Sequence, residues 1–159
     1  MSCCSSTNTD RETCSPSACP VCKQPGQPID SITPRHTLRT QFRSDLHERS
    51  EYFFCENPQC DCVYFNSIDA QHFITEQLIN RVTCKDPSKE TPLCYCFKIT
   101  KGDVINEHQI SGNSSVLKQI EEKMAERPCF CNKSNPRGLC CIEEITVWMQ
   151  SQGIEQANA

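Results

Sequence analysis

Fifteen of the 159 residues are cysteine, and that density decides most of what the chain can become. Thiols at this frequency pair as disulfides, hold metal or do redox work. An odd number cannot pair completely. The opening Met1-Ser-Cys-Cys-Ser-Ser-Thr-Asn carries neither the basic n-region nor the apolar h-region of a secretory signal. Disulfide frameworks belong to oxidising compartments, so the expectation is a reducing cytoplasm in which clustered cysteines are metal ligands. No stretch approaches the roughly 20 apolar residues of a membrane span, and none is expected.

The apolar residues make the same point. They amount to 36% of the chain with the cysteines included, and about a quarter without them. A core that thin needs cross-links of another kind. The formal charge is −4, from 16 basic and 20 acidic residues, with no long basic run, which argues against nucleic acid as a partner. Eight metal-bound thiolates would take the net charge to about −8, which suits a basic docking surface on a partner.

Along the chain, residues 1–18, with Cys3, Cys4 and Cys14, read as a disordered tail. Residues 19–90 read as a β-rich subdomain and 91–150 as a helical one, with a frayed C-terminus over 151–159. Thr33-Pro34 predicts a short helix presenting Leu38, Phe42 and Leu46 inward. Tyr52-Phe53-Phe54 and Val63-Tyr64-Phe65 predict a hairpin with cysteines at its tip. Residues 67–93 fit a strand or a short helix. Thr100 and Asp103 form a capping-box pattern. Ser114 or Ser115 begins a helix carrying Val116, Ile120 and Met124, which Pro128 stops, and Ile142 to Met149 forms another. The fold class is therefore α+β: a small zinc-ribbon-like β knuckle followed by a small helical metal-binding unit.

Two cysteine sets stand out. Cys19-x2-Cys22 and Cys55-x4-Cys60 are close pairs, each able to supply one edge of the tetrahedron that zinc prefers. Pro20 and Pro58 stiffen their turns. Cys62 reads as a buried packing thiol, while Asp61, His36 and His47 are weaker alternative ligands. The second set is Cys94-Tyr-Cys96 with Cys129, Cys131, Cys140 and Cys141. A C-x-C pair answered by cysteines some 35 residues later suits a [2Fe-2S] cluster, two ligands to each iron. A second zinc site has the same donors, and spacing does not separate the two. Asn135-Pro-Arg-Gly138 is a turn that folds Cys131 back towards Cys140 and Cys141, and Cys141 opens a helix whose positive end favours a negative cluster.

Together, Cys19-x2-Cys22, Phe54-Cys55-x4-Cys60-Asp61-x-Val63-Tyr64-Phe65, Cys94-Tyr-Cys96 and Asn135-Pro-x-Gly-x-Cys-Cys141 resemble the N-terminal domain of CopZ-type copper chaperones. The resemblance runs from about residue 19 to residue 148. Its second half is similar to bacterioferritin-associated ferredoxins. It implies zinc on Cys19, Cys22, Cys55 and Cys60. It also implies a [2Fe-2S] cluster on Cys94, Cys96, Cys131 and Cys141, with Cys129 and Cys140 as neighbouring or spare thiols. Cys131 is preferred over Cys129 because the family's ligand lies four residues before the Asn of Asn-Pro-x-Gly. The sequence contains no Met-x-Cys-x-x-Cys copper motif, so copper delivery by that route does not carry over.

The function expected is soft-metal handling by a zinc- and [2Fe-2S]-binding metallochaperone, with Cu(I) as candidate cargo and one-electron chemistry available. Its partners would be metal ions and a copper transporter or a redox protein. A small ferredoxin-like electron carrier with a structural zinc is the alternative, and a purely structural module is a third reading. No catalytic residues are expected: there is no phosphate-binding loop and no HExxH helix, and four-cysteine zinc leaves no open position.

Overall fold

The computed structural model describes residues 17–158, so Cys3, Cys4 and Cys14 of the expected tail lie outside the described residues. Ser17 and Ala18, placed in that tail by the sequence, are instead part of a tight turn. Gly26 donates its N–H to the Ser17 carbonyl at 2.7 Å, and Ala18 bridges Pro25. No helix among the described residues is long and apolar enough to cross a membrane.

The architecture is α+β. In the first lobe β1 (Gln27–Ile29), β2 (Tyr52–Phe54), β3 (Cys62–Asn66) and β4 (His72–Ile74) form an antiparallel sheet in chain order. The aromatic runs pair as the hairpin β2–β3, with Cys55 and Cys60 in its connection. One side of the sheet buries Tyr52, Phe54, Tyr64 and Phe73 against Leu38, Leu78 and Val82. The other stacks Phe53 on Phe65, ring centres 5.5 Å apart, beside Cys19, Cys55, Cys60 and Cys62. A register shift between Cys62 and Tyr64 lets Cys62 and Phe65, three residues apart, share this side despite the two-residue strand period. Gly26 admits the chain to β1 because a Cβ there would stand 2.5 Å from Phe65 Cζ.

The helix expected from Thr33 to Leu46 is broken in two. Its first part, α1 (Ile32–Thr37), ends where Leu38 turns extended and bridges Leu78. Two backbone bonds fix that bridge, Arg39 N–H to Gln77 and Ile79 N–H to Thr37, both 2.9 Å. Burial of Leu38 and these bonds outweigh helix continuation, and the chain resumes as a 3₁₀ stretch over Thr40–Asp45. Within 67–93 the strand alternative prevails, as β4 followed by a 3₁₀ turn over Thr75–Gln77.

In the second lobe β5 (Pro92–Cys94) and β6 (Ile99–Thr100) form a hairpin around the C-x-C segment. Helix α2 (Lys101–Ser111) opens on the expected box: Asp103 N–H donates to Thr100 Oγ1 at 3.2 Å, and Thr100 N–H to Asp103 Oδ2 at 2.9 Å. Helix α3 (Val116–Glu126) begins with Ser114 Oγ accepting from Val116 N–H, while Glu107 of α2 takes the Ser115 N–H. A one-turn helix, α4 (Cys131–Ser134), and α5 (Cys141–Ser151) follow. Leu93, Val104, Val116, Ile120, Ile145 and Met149 form the core.

The C-terminus departs from the frayed end expected. Ile154 is buried, Ser114 N–H donates to the Glu155 carbonyl at 2.9 Å, and Ala157 N–H returns to Ser114 at 2.8 Å. Burial of Ile154 and the two backbone bonds with Ser114 hold it down.

The lobes are joined polar group to polar group. Thr33 Oγ1 donates to Asn132 O at 2.7 Å, and Tyr64 OH donates to Pro136 O at 2.6 Å. The Tyr95 hydroxyl, between two candidate ligands, donates to Arg81 O at 2.7 Å. The Lys101 ammonium donates to Thr83 O and Asp86 O at 2.8 and 2.7 Å, and stands 6.0 Å from the centre of the half-buried Trp148 ring.

Candidate metal centres

The first set is assembled by two turns. After Ala18 the chain reverses through Cys19–Gln24: Cys19 N–H donates to Gln24 O at 2.8 Å, and Lys23 N–H to Cys19 O at 2.9 Å. On the hairpin tip, Cys55 N–H bonds Val63 O and Cys60 N–H bonds Asn57 O, at 2.8 and 3.1 Å. These turns bring the sulfurs of Cys19, Cys22, Cys55 and Cys60 within 4.8 Å of one another. Cys19 Sγ and Cys60 Sγ are 4.0 Å apart, and Cys22 Sγ and Cys55 Sγ 3.6 Å. Four sulfurs bound tetrahedrally at about 2.3 Å from one ion stand about 3.8 Å apart, so the donor set fits a single ion. With four thiols converging, the set is closed and offers no position for substrate.

Burial raises the Cys55 and Cys60 thiols, whereas Cys22 is lowered. Burial pushes Cys22 upward too, but bonds to the Gln24 backbone, the Asn57 side chain and the Cys55 and Cys19 thiols prevail and bring it to about 7. Lys85 steadies the hairpin tip by donating from Nζ to Asn57 O at 2.7 Å and Cys60 O at 2.9 Å. Its positive charge also opposes the rise of Cys55.

Cys62 is fully buried, outside the convergent four, with its thiol 3.6 Å from Tyr64 O. Asp61, His36 and His47 are exposed and do not join the set. His47 faces Asp69 at 3.7 Å instead.

The second set forms a chain of sulfurs. The Cys141 thiol neighbours both Cys94 and Cys131, and Cys131 Sγ is 3.6 Å from Cys96 Sγ. Cys94 closes β5, Cys131 opens α4 and Cys141 opens α5. These four do not converge on one point as the first set does. A two-iron cluster needs two pairs of thiolates, so an extended set fits it better than a single ion. Backbone N–H groups face the sulfurs: Phe130 N–H lies 3.3 Å from Cys96 Sγ, Phe97 and Cys96 serve Cys94, and Cys141 N–H serves Cys131. Such donors stabilise thiolates and a negative cluster. The Cys141 thiol, by donating, lowers Cys131 to about 5 and Cys94 to about 7, and is itself strongly raised.

Cys129 is half-buried with its thiol bonded to Cys131, and Cys140 is exposed. Sequence reasoning passed over Cys84, which lines a cleft of about 490 Å³ between the lobes with Pro58, Arg137, Glu144 and Trp148. It also missed Lys85 and Arg137. An isolated Cys or Lys carries no spacing signal, so neither could have been found without the fold.

The first thiol set has the convergent geometry of a thiolate metal site, and residues 16–79 match the CopZ family model described as a zinc binding domain. The chain is 27% identical over 123 residues to the copper chaperone CopZ of Archaeoglobus fulgidus, covering 77% of this chain and 57% of that protein. The X-ray structure of the Archaeoglobus fulgidus CopZ N-terminal domain superposes with a TM-score of 0.67 at 25% identity, over 86% of this chain and 98% of that one. The chain thus spans somewhat more than half of the curated relative it matches.

Proposed function

We propose that this is a metallochaperone-like protein of soft-metal handling, with zinc on Cys19, Cys22, Cys55 and Cys60 and a [2Fe-2S] cluster on Cys94, Cys96, Cys131 and Cys141. The observation that carries the reading is the pairing of one convergent and one extended four-thiol set in a fold shared with a copper chaperone's N-terminal domain. The likeness of the helical half to bacterioferritin-associated ferredoxins belongs to the same reading. The first set suits a structural ion that fixes the hairpin tip. A cluster on the second set, when bound, supplies one-electron exchange. The chain's own residues present thiolates to it, aim N–H groups at their sulfurs and keep Cys94, Cys96, Cys131 and Cys141 away from water. We place the protein in the cytoplasm, without enzymatic activity, with a copper transporter or a redox protein as partner and Cu(I) as its cargo.

One observation favours the alternative of an electron carrier without a copper role. Seven of the eight thiols are buried, so the two sets present little to a passing ion. Anaerobic purification with metal and sulfide counts tests the main reading. Two irons, two sulfides and one zinc per red-brown chain are expected, and a colourless, iron-free chain refutes it. Cu(I) titration of the loaded protein separates the two functions: competition-resistant binding is expected for the chaperone, and its absence leaves the electron carrier.

A further inference from the structure

We infer that Arg137 and Glu56 are positioning residues that make the ligand loop of the second set depend on metal occupancy of the first. The inference rests on the reading that both sets are loaded. Glu56 directly follows Cys55, and Arg137 lies in the turn between Cys131 and Cys141. Arg137 Nη2 meets Glu56 Oε1 at 2.6 Å, and Arg137 Nε meets Gln27 Oε1 at 3.2 Å. Gln27 begins the strand that leaves the Cys19–Cys22 turn. One guanidinium therefore touches the chain just after the Cys19–Cys22 pair and within the Cys55–Cys60 loop.

The turn that carries Arg137 is rigid in itself. Buried Asn135 accepts from Arg137 N–H at 3.0 Å and donates to Leu139 O at 2.9 Å, and its own N–H bonds Cys131 O at 2.9 Å. Gly138 has φ +74°, and a Cβ there would stand 2.8 Å from Thr33 Oγ1, so the turn lies tightly against the first lobe. Tyr64 OH holds Pro136 O from below. Displacement of Glu56 is thus passed to the Cys131–Cys141 loop as a unit. In the absence of metal the tip that presents Glu56 keeps its backbone bonds and its Lys85 contacts but is tied to the Cys19–Cys22 turn by thiol contacts without a common ion, and the raised loop freedom reaches the second set. The ion pair is partly exposed, with side-chain exposures of 32% and 48%, so its effect on global stability is small and its effect on position is what should be read.

The test uses the loaded, full-length chain and follows bleaching of the visible absorbance by an iron chelator. Arg137→Met is expected to speed bleaching about tenfold, in the range for residues that orient metal ligands. Glu56→Gln should repeat the effect, and the exchanged pair Glu56→Arg with Arg137→Glu should reverse much of it. Removing zinc should speed bleaching in the unaltered chain and add nothing in Arg137→Met. Equal bleaching of the two chains, or a full response to zinc in Arg137→Met, overturns the inference. If zinc removal unfolds the first lobe, hydrogen exchange over residues 135–141 in zinc-loaded Arg137→Met decides: faster exchange supports the tie and unchanged exchange overturns it. A chain that takes up zinc but no iron refutes the cluster reading alone. Protection of residues 135–141 on zinc loading then supports the tie, and its absence overturns it.

Discussion

Replacing Cys55 by serine is expected to abolish zinc retention and to cost the protein about 5 kcal/mol or more, a large fraction of the stability of a domain this size. The estimate follows from what surrounds the set. On its side of the sheet, Phe53 and Phe65 are, among the described residues, the only large side chains buried with the thiols, so little apolar packing remains if the sulfurs lose their common ion. The opposite side, around Tyr64 and Leu38, buries more and should leave residual structure rather than a random chain. Calorimetry with and without a strong chelator measures the loss, and Cys55→Ser should melt like the chelated parent. The pH dependence has a fixed sign. Cys55 and Cys60 are raised by burial and hold protons near neutrality in the metal-free fold, so binding must displace them. Zinc affinity should therefore rise with pH, about tenfold per unit for each proton displaced, and fall as the solution is acidified. A melting curve indifferent to chelator would defeat the expectation.

The second large effect concerns colour. Cys131→Ser and Cys141→Ser should each remove the visible absorbance, while Cys129→Ser and Cys140→Ser should keep it. Cys131 sits at the middle of the sulfur chain, 3.6 Å from Cys96 and beside Cys141, and the Cys141 N–H faces it. These contacts bring its pKa to about 5, so it is a thiolate at neutral pH. Cys129 is raised by burial and by the negative charge of Cys131, which favours its protonated form. A serine hydroxyl does not supply the thiolate that such a cluster takes from cysteine. Iron and sulfide counts on the four variants check the assignment. Loss of colour in Cys129→Ser alone would reverse it.

What the sequence made legible was local. The aromatic runs announced the hairpin because strand pairing follows side-chain alternation, and Thr100 with Asp103 announced α2 because a cap needs only its neighbours. Cysteine spacing brought out the convergent four because each pair is closed by its own short turn. Features set by distant partners were hidden. The break at Leu38 depends on Leu78, forty residues on, and the pinned C-terminus depends on Ser114. One-turn α4 is too short for any periodicity to show. Tyr64 reaching Pro136 and Arg137 reaching Glu56 are contacts between sequence-distant polar groups, and neither partner advertises the other.

Trp148 is the only tryptophan in the chain. It stands seven residues beyond Cys141 on α5, about 10 Å along the helix axis. The proposed cluster on the second set would, at that range, drain the indole's excited state and give the protein its own optical gauge. Ultraviolet emission should be dim in coloured preparations and brighten as they fade, which allows loading to be followed without a label.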